Sequence, residues 1–552
     1  MTWLSRLLAQ SPRLPRHADH SHRTRQGQRR RRMATLETLE GRTLLSNVVT
    51  SFTQDASTGA YTLTITGDAH NDAFSVTENS DGTVTLVGTP APSSNPHLPA
   101  LNSTQINGLP VGLAYTTSQA VLGIVVNLPG SYDNTDYVSI GTPTGTGTGT
   151  LTSVTIVAPG VAMPGVPGLD LNLTVTNLDV AGPFALYDAP TTTATGATPA
   201  LPAGQAANAP AGYTFPTTGT PAVPSNNLGG ALNASITGSH FSSLSIEQDG
   251  CCPATVTLNN DVVPGSVTVE EGVANGDVVS AANDTFGATS ILQDYGPAVA
   301  GCVGTGNDVD VEDSQILSLA VVQAGTGNSQ VITIGVTSEV EVALTGFGVT
   351  ASQSDGWYDV IQIESITVYG RSTSSFAPGG PPNIITTQGN GNYDSTTIDS
   401  SVVWGNIEVS QANGNDDSVT IAADTAGYTV SVGPYLNPEY GLLQIVQGDG
   451  AGDSVTLNSA GSEGTAPNVF NCVVIIQSDV GTNTTPDTVL VDSTTVTAGN
   501  ISVTQGDAAG DSVIISADTA GYTTPSGPIV TDYFGLLKIV QGNGYEDSVT
   551  IT

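Results

Sequence analysis

Aspartate is the residue type in this sequence that recurs where it could do chemistry. It closes short Gly/Asn/Asp runs and is followed by serine: Asp394 in GNGNYDS, Asp417 in NGNDDS, Asp453 in GDGAGDS, Asp511 in GDAAGDS and Asp547 in GNGYEDS. Carboxylates among turn carbonyls are the ligands that a hard divalent cation takes, so calcium is the cofactor these five residues could hold. The other role open to them is structural, with each side chain accepting hydrogen bonds from turn N–H groups.

The elements that position these residues are readable. Each aspartate opens Asp-Ser-Val-Thr-Ile or a variant of it, and each run follows a segment of the form apolar-x-apolar-x-Gln. Alternation at period 2 is a strand with one buried face, and the glycines between supply the turn. The Gln position recurs at Gln248, Glu271 (a degenerate equivalent), Gln293, Gln323, Gln353, Gln388, Gln411, Gln447, Gln477, Gln505 and Gln541, at steps of 22 to 36 residues. Residues 405–457 align without a gap on residues 499–551, with 30 of 53 positions identical. Self-similarity at this period in strand-type sequence marks a solenoid. Irregular steps suit a right-handed parallel β-helix, whose loops leave the coil outward. The alternative is a tandem array of β-sandwich domains. In a β-helix equivalent residues lie roughly 4.8 Å apart. Glutamine amides could then bond along the stack, and stacked aspartates would need turn N–H groups or a cation to offset their repulsion.

Four regions follow. Residues 1–46 form a basic disordered arm with a short motif. Residues 47–188 form an N-terminal β region of first coils, with Asp72 and Asp136 at the aspartate position. Residues 189–231 are a linker or loop rich in Pro, Ala, Thr and Gly. Residues 232–552 are the repeats, which stop in mid-pattern at DSVTIT, so a cover, a partner or a longer chain is expected there.

The net charge of −37 divides unevenly. The first 46 residues hold ten of the twelve basic residues, while the rest holds Arg371 and Lys538 against 46 acids. Such a body excludes nucleic acid and anionic lipid as partners and attracts divalent cations. No apolar run could span a bilayer. Four cysteines, Cys251, Cys252, Cys302 and Cys472, do not make a disulfide framework; a Cys251–Cys302 or Cys252–Cys302 bridge is open.

Leu36–Ser46, LETLEGRTLLS, resembles the N-terminal LEPR-XLL motif of a planctomycete family of large extracellular proteins. Leu36, Glu37, Leu39, Glu40, Arg42, Leu44, Leu45 and Ser46 match, and Gly41 stands where the family has proline. The resemblance implies sorting or export to the cell surface or beyond, with no assigned chemistry. The aspartate turns partly resemble calcium-binding nonapeptide repeats. Gly389 and Gly391 lie five and three residues before Asp394, whereas those repeats place glycine five, four and two before and recur every nine residues.

The expected function is therefore a secreted or surface structural or adhesive solenoid, without catalysis, that meets matrix components or glycans. The enzyme alternative is a polysaccharide lyase or glycoside hydrolase on a β-helix, an analogy of fold alone. Lyase chemistry would have only Arg371 and Lys538 to draw on, Lys538 being expected to point outward. The Asp416–Asp417 pair reads as turn chemistry, and His70, His97 and His240 as isolated surface residues. Trp357, Tyr358, Trp404, Tyr435, Tyr440 and Tyr533 lie near turns, as coil packing or as a sugar platform.

Overall fold

The computed structural model describes residues 46–552 apart from residues 69, 91–103, 129–134, 143–148, 159–169, 189–229, 249–251, 295–303, 336–341, 346–347, 370–382, 433–434, 440, 462–463, 479–484, 498, 517 and 527–528. The basic arm and the LEPR-XLL-like motif up to Leu45 lie outside the described residues, as do most of the 189–231 segment, His97, Arg371, Cys251 and Cys302.

The described chain is all-β, and its strands stack in parallel. One sheet carries the glutamine-ending strands. It runs from Tyr61–Thr66 through His240–Gln248, Gln315–Gln323, Ile407–Gln411 and Cys472–Ser478 to Leu537–Val540, each strand pairing in parallel with the next coil's. A second sheet carries the Asp-Ser-Val-Thr-Ile strands, from Ala73–Glu78 to Ser548–Ile551. From Val342–Thr345 onward a third, narrower sheet closes each coil, including Val402–Val403, Asn468–Phe470 and Thr494–Val496. The chain is a parallel β-solenoid, and residues 405–457 and 499–551 are coils of one stack, joined through Cys472–Ser478.

The reason lies in the period-2 pattern. In Ile407–Gln411 the residues Ile407, Val409 and Gln411 are buried while Glu408 and Ser410 face outward. The same alternation on both sheets fills the interior with Val, Ile and Leu, each buried side chain contributing about 1.5–3 kcal/mol. The core is aromatic at few places; Phe184 and Phe241 pack there with centroids 4.9 Å apart.

Two features interrupt the parallel plan. At the N-terminal end, Ser46–Gln54 pairs antiparallel with Tyr61–Thr66, and Val84–Gly88 antiparallel with Ala73–Glu78 and Ala114–Thr116. Residues 47–188 therefore hold hairpins as well as coils, and the hairpins cover strand edges that a bare first coil would expose. Farther on, antiparallel ribbons, Tyr428–Val432 with Tyr435–Glu439 and Thr519–Ser526 with Ile529–Phe534, occur at matching places in the two copies.

Candidate functional site

Two columns of polar side chains line the corner between the first and second sheets. The first is glutamine. Nε2 of Gln323, Gln353, Gln388, Gln411, Gln447, Gln477, Gln505 and Gln541 donates to Oε1 of the glutamine one coil earlier, at 2.8–3.1 Å. The same nitrogen closes its own turn, as when Gln388 Nε2 donates to the Ser395 carbonyl at 3.1 Å. An amide suits this place because it both accepts and donates along the stack. Glu271 breaks the pattern. Its Oε2 accepts from Gln293 Nε2 at 2.8 Å, and its buried Oε1 has no hydrogen-bond partner. Burial first, then the charges of Asp277 and Asp294, push its carboxyl well above the usual range.

The second column is aspartate. The backbone N–H of Asp359 donates to Asp394 Oδ1 at 3.0 Å, that of Asp394 to Asp417 at 3.1 Å, and that of Asp417 to Asp453 at 3.1 Å. The file continues through Asp487 and Asp511 to Asp547, and an earlier stretch joins Asp72 to Asp136. Each carboxylate thus caps the coil before it. Three residues before the aspartate the coils pack closely, and the place is taken by glycine in most coils and by Ala274 and Ala508 in two. A Cβ at Gly391 or Gly414 would collide with the carbonyl of the preceding coil's glycine and with Oδ2 of its own aspartate.

The five residues Asp394, Asp417, Asp453, Asp511 and Asp547 therefore stand in file, one per coil, rather than gathered round a point. Among the described residues no group of three or more His, Cys, Asp or Glu side chains converges to hold a metal. Oδ2 of Asp359, Asp394, Asp417 and Asp511 is buried without a hydrogen-bond partner. Burial, the dominant cause, raises Asp394 to about 6 and Asp359 and Asp417 to about 7. Where Asn307 and Gln330 replace the column aspartate, Asp294 enters instead, and Gln330 Nε2 donates to its Oδ2 at 2.7 Å.

A further column sits at the corner after the second sheet. Ser239 N–H donates to Asp261 Oδ1 at 2.7 Å, Asp261 N–H to Asp284 at 2.7 Å, and Ser401 N–H to Asp424 at 2.6 Å. Thr494 N–H donates to Asp518 Oδ1 in the same way. In both corners the residue just before the column takes a positive φ in many coils, as at Asn260, Asn283 and Asp416.

No family model, curated protein or solved structure matches this chain.

The remaining candidates are dispersed. Asp416 is an exposed turn residue with φ 59°, while its neighbour Asp417 is buried in the column, so the pair does not act together. His70 bonds only its neighbour Asp68, at 3.0 Å, and His240 is exposed on its strand. Lys538 lies on an outward position opposite Ser502. Cys252 and Cys472 are free thiols. Burial pushes the Cys252 thiol up to about 11, far from the reactive thiolate. Trp404 is half-buried; the side chains of Tyr435, Tyr440 and Tyr533 lie outside the described residues. Trp357 and Tyr358 share one exposed turn with their neighbour in the next coil, Tyr393.

Proposed function

We propose that this protein is a structural or adhesive β-solenoid of the bacterial cell surface or its surrounding matrix, acting through its outer face and not through catalysis. The observation that carries this reading is the unbroken glutamine column from Gln293 to Gln541. It commits the corner interior to holding coil on coil and leaves the outward Ser, Thr and Asn residues as the surface a partner meets. The LEPR-XLL-like residues Leu36–Ser46 and the acidic body support export and an extracellular setting. The test is fractionation of the producing cells with surface protease shaving, together with pulldown by the full chain from cell-wall and glycan fractions. Shaved peptides and a retained fraction are expected; a chain found only in the cytosol and retained by neither fraction would reject the reading.

Calcium is the second reading of the aspartate column, favoured by the partnerless Oδ2 atoms of Asp394, Asp417 and Asp511. If cations bridge neighbouring coils there, millimolar calcium added to chelated protein raises its melting temperature by several degrees, roughly 3–5 °C. An unchanged melt leaves the carboxylates as caps alone.

A further inference from the structure

We propose that the corner face bearing Trp357, Tyr358 and Tyr393 is a binding platform for a neutral oligosaccharide. This rests on the adhesive reading above and names the class of its partner.

The first observation is backbone strain. The residue before most column positions from Asp277 to Asp547 has a left-handed backbone, Pro486 before Asp487 being an exception, and elsewhere on this corner that place is taken by Gly276, Gly306, Ser329, Asp416, Gly452, Gly510 or Glu546. Coils with Tyr358 (φ 64°) and Tyr393 (φ 65°) put bulky aromatics there instead. Each such choice costs about 1–2 kcal/mol. Strain of this kind at an exposed residue is a pointer to function.

The second observation is exposure. The two tyrosine rings stack with centroids 4.9 Å apart and planes 6° apart, yet Tyr358 is 53% and Tyr393 45% exposed, and Trp357 beside them is 52% exposed. Rings that served coil packing would be covered.

The third is the set of amides beside the rings. Trp357 stands in a column with Asn328 one coil before it and Asn392 and Asn415 after it. Asn328 Oδ1 accepts the Trp357 N–H at 3.1 Å, and Asn392 Oδ1 accepts the Asn415 N–H at 2.8 Å. These bonds commit the amide oxygens and orient the Nδ2 groups as donors. Along the next column Asn390 Nδ2 is tied to Asp355 at 3.0 Å.

A sugar has an apolar C–H face and a rim of hydroxyls. Aromatic rings cover the first, and fixed amides and carboxylates bond the second. The charge decides between sugars. These turns carry Asp355 and Asp416 and no Lys or Arg, so a polyanionic glycan or a nucleic acid is repelled. The strip from Asn328 to Asn415 crosses four coils, roughly 14 Å at ~4.8 Å per step, the length of an oligosaccharide and not of one ring.

The experiment titrates the full chain, by calorimetry and tryptophan fluorescence, with cello-, xylo-, manno- and chito-hexasaccharides and with polygalacturonate and alginate oligomers. At least one neutral series is expected to saturate, and the charged oligomers to give nothing. Trp357→Ala and the double variant Tyr358→Asn/Tyr393→Asn should each weaken binding about tenfold or more, while the double variant melts at or above the wild-type temperature because the strain is relieved. Absence of binding by every neutral series, binding by charged oligomers alone, or unchanged affinity in the variants overturns the proposal. So does a double variant that melts several degrees lower, which would assign the rings to coil packing. Failure here with retention on a cell-wall fraction leaves the adhesive reading standing and removes this face from it.

Discussion

Lowering the pH from 8 to 5 is expected to raise the melting temperature of the full chain by roughly 10 °C. Most proteins lose stability on the way to acid because their carboxylates are ionised and bonded in the fold. Here the corner carboxyls are shifted the other way. Burial lifts Asp277, Asp359 and Asp417 to about 7, and Asp136 and Asp284 to about 8. The unfolded chain titrates them near 3.9. Between those values the folded state binds more protons than the unfolded state, so stability falls as pH rises. The contribution is complete below about pH 4 and is lost through pH 6–8. Asp55 and Asp81 are lowered by bonds to Ser57 and Thr83 and act in the opposite sense, but both are exposed turn residues of small weight. Glu271→Gln locates the effect. The amide restores the donor missing from the column between Gln248 and Gln293, and should stabilise the protein at pH 8 by about 1–3 kcal/mol while changing little at pH 4. Calorimetry across pH 4–8 checks both. A melt that rises toward pH 8, or a Glu271→Gln variant that melts lower there, would sink this account.

Replacing Gln388 by leucine is expected to cost roughly 3–5 kcal/mol in urea unfolding. Its Oε1 accepts from Gln411 Nε2 at 2.8 Å and from Thr396 Oγ1 at 2.9 Å. Its Nε2 donates to Gln353 Oε1, to the Asp359 carbonyl and to the Ser395 carbonyl. Leucine fills the volume and leaves buried groups on three coils without partners, which is the expensive half of any hydrogen-bond deletion. Because coils contact only their neighbours, the damage should also loosen the coupling across that level and broaden the transition. Gln541→Leu is the control. Its bond to Gln505 is longer, at 3.1 Å, and part-buried, so a loss of about 1 kcal/mol or less is expected. Equal losses at the two positions would mean that the column is not what binds coil to coil.

The two columns at the first corner were legible because their residue types hardly vary. Gln388, Gln411 and Gln447 share one sequence frame, and so do Asp394, Asp417 and Asp453. Parity then fixed which side chains face inward. What the string did not reveal was the partner of each carboxylate. Its donor sits one coil back, 23 residues away for Asp417 and 36 for Asp453, and no local pattern encodes that distance. The second corner is hidden in the sequence for a different reason. Its column mixes Ser239, Asp261, Asp284, Ser401, Asp424 and Thr494, and the left-handed residue before it is Gly238, Asn260, Asn283, Ser400, Ala423 or Ser493. Any small acceptor serves there, so no single letter repeats. The paired Asn-Asp at 260–261 and 283–284 was the trace available. The antiparallel hairpins at the N-terminal end were hidden because the strands of a hairpin and of a coil share the same alternation, and only the pairing partner differs.

The in-register columns also say how such a chain can grow. Gln411 and Gln505 are 94 residues apart and are separated by three rungs of the ladder, through Gln447 and Gln477. The duplicated block is therefore a whole number of turns. Copying it lengthens the spiral by roughly 14 Å and hands the new segment an amide and a carboxyl ready to dock at each seam. Unequal exchange between such blocks would change reach without disturbing any existing contact, which makes length the most freely adjustable property of this molecule.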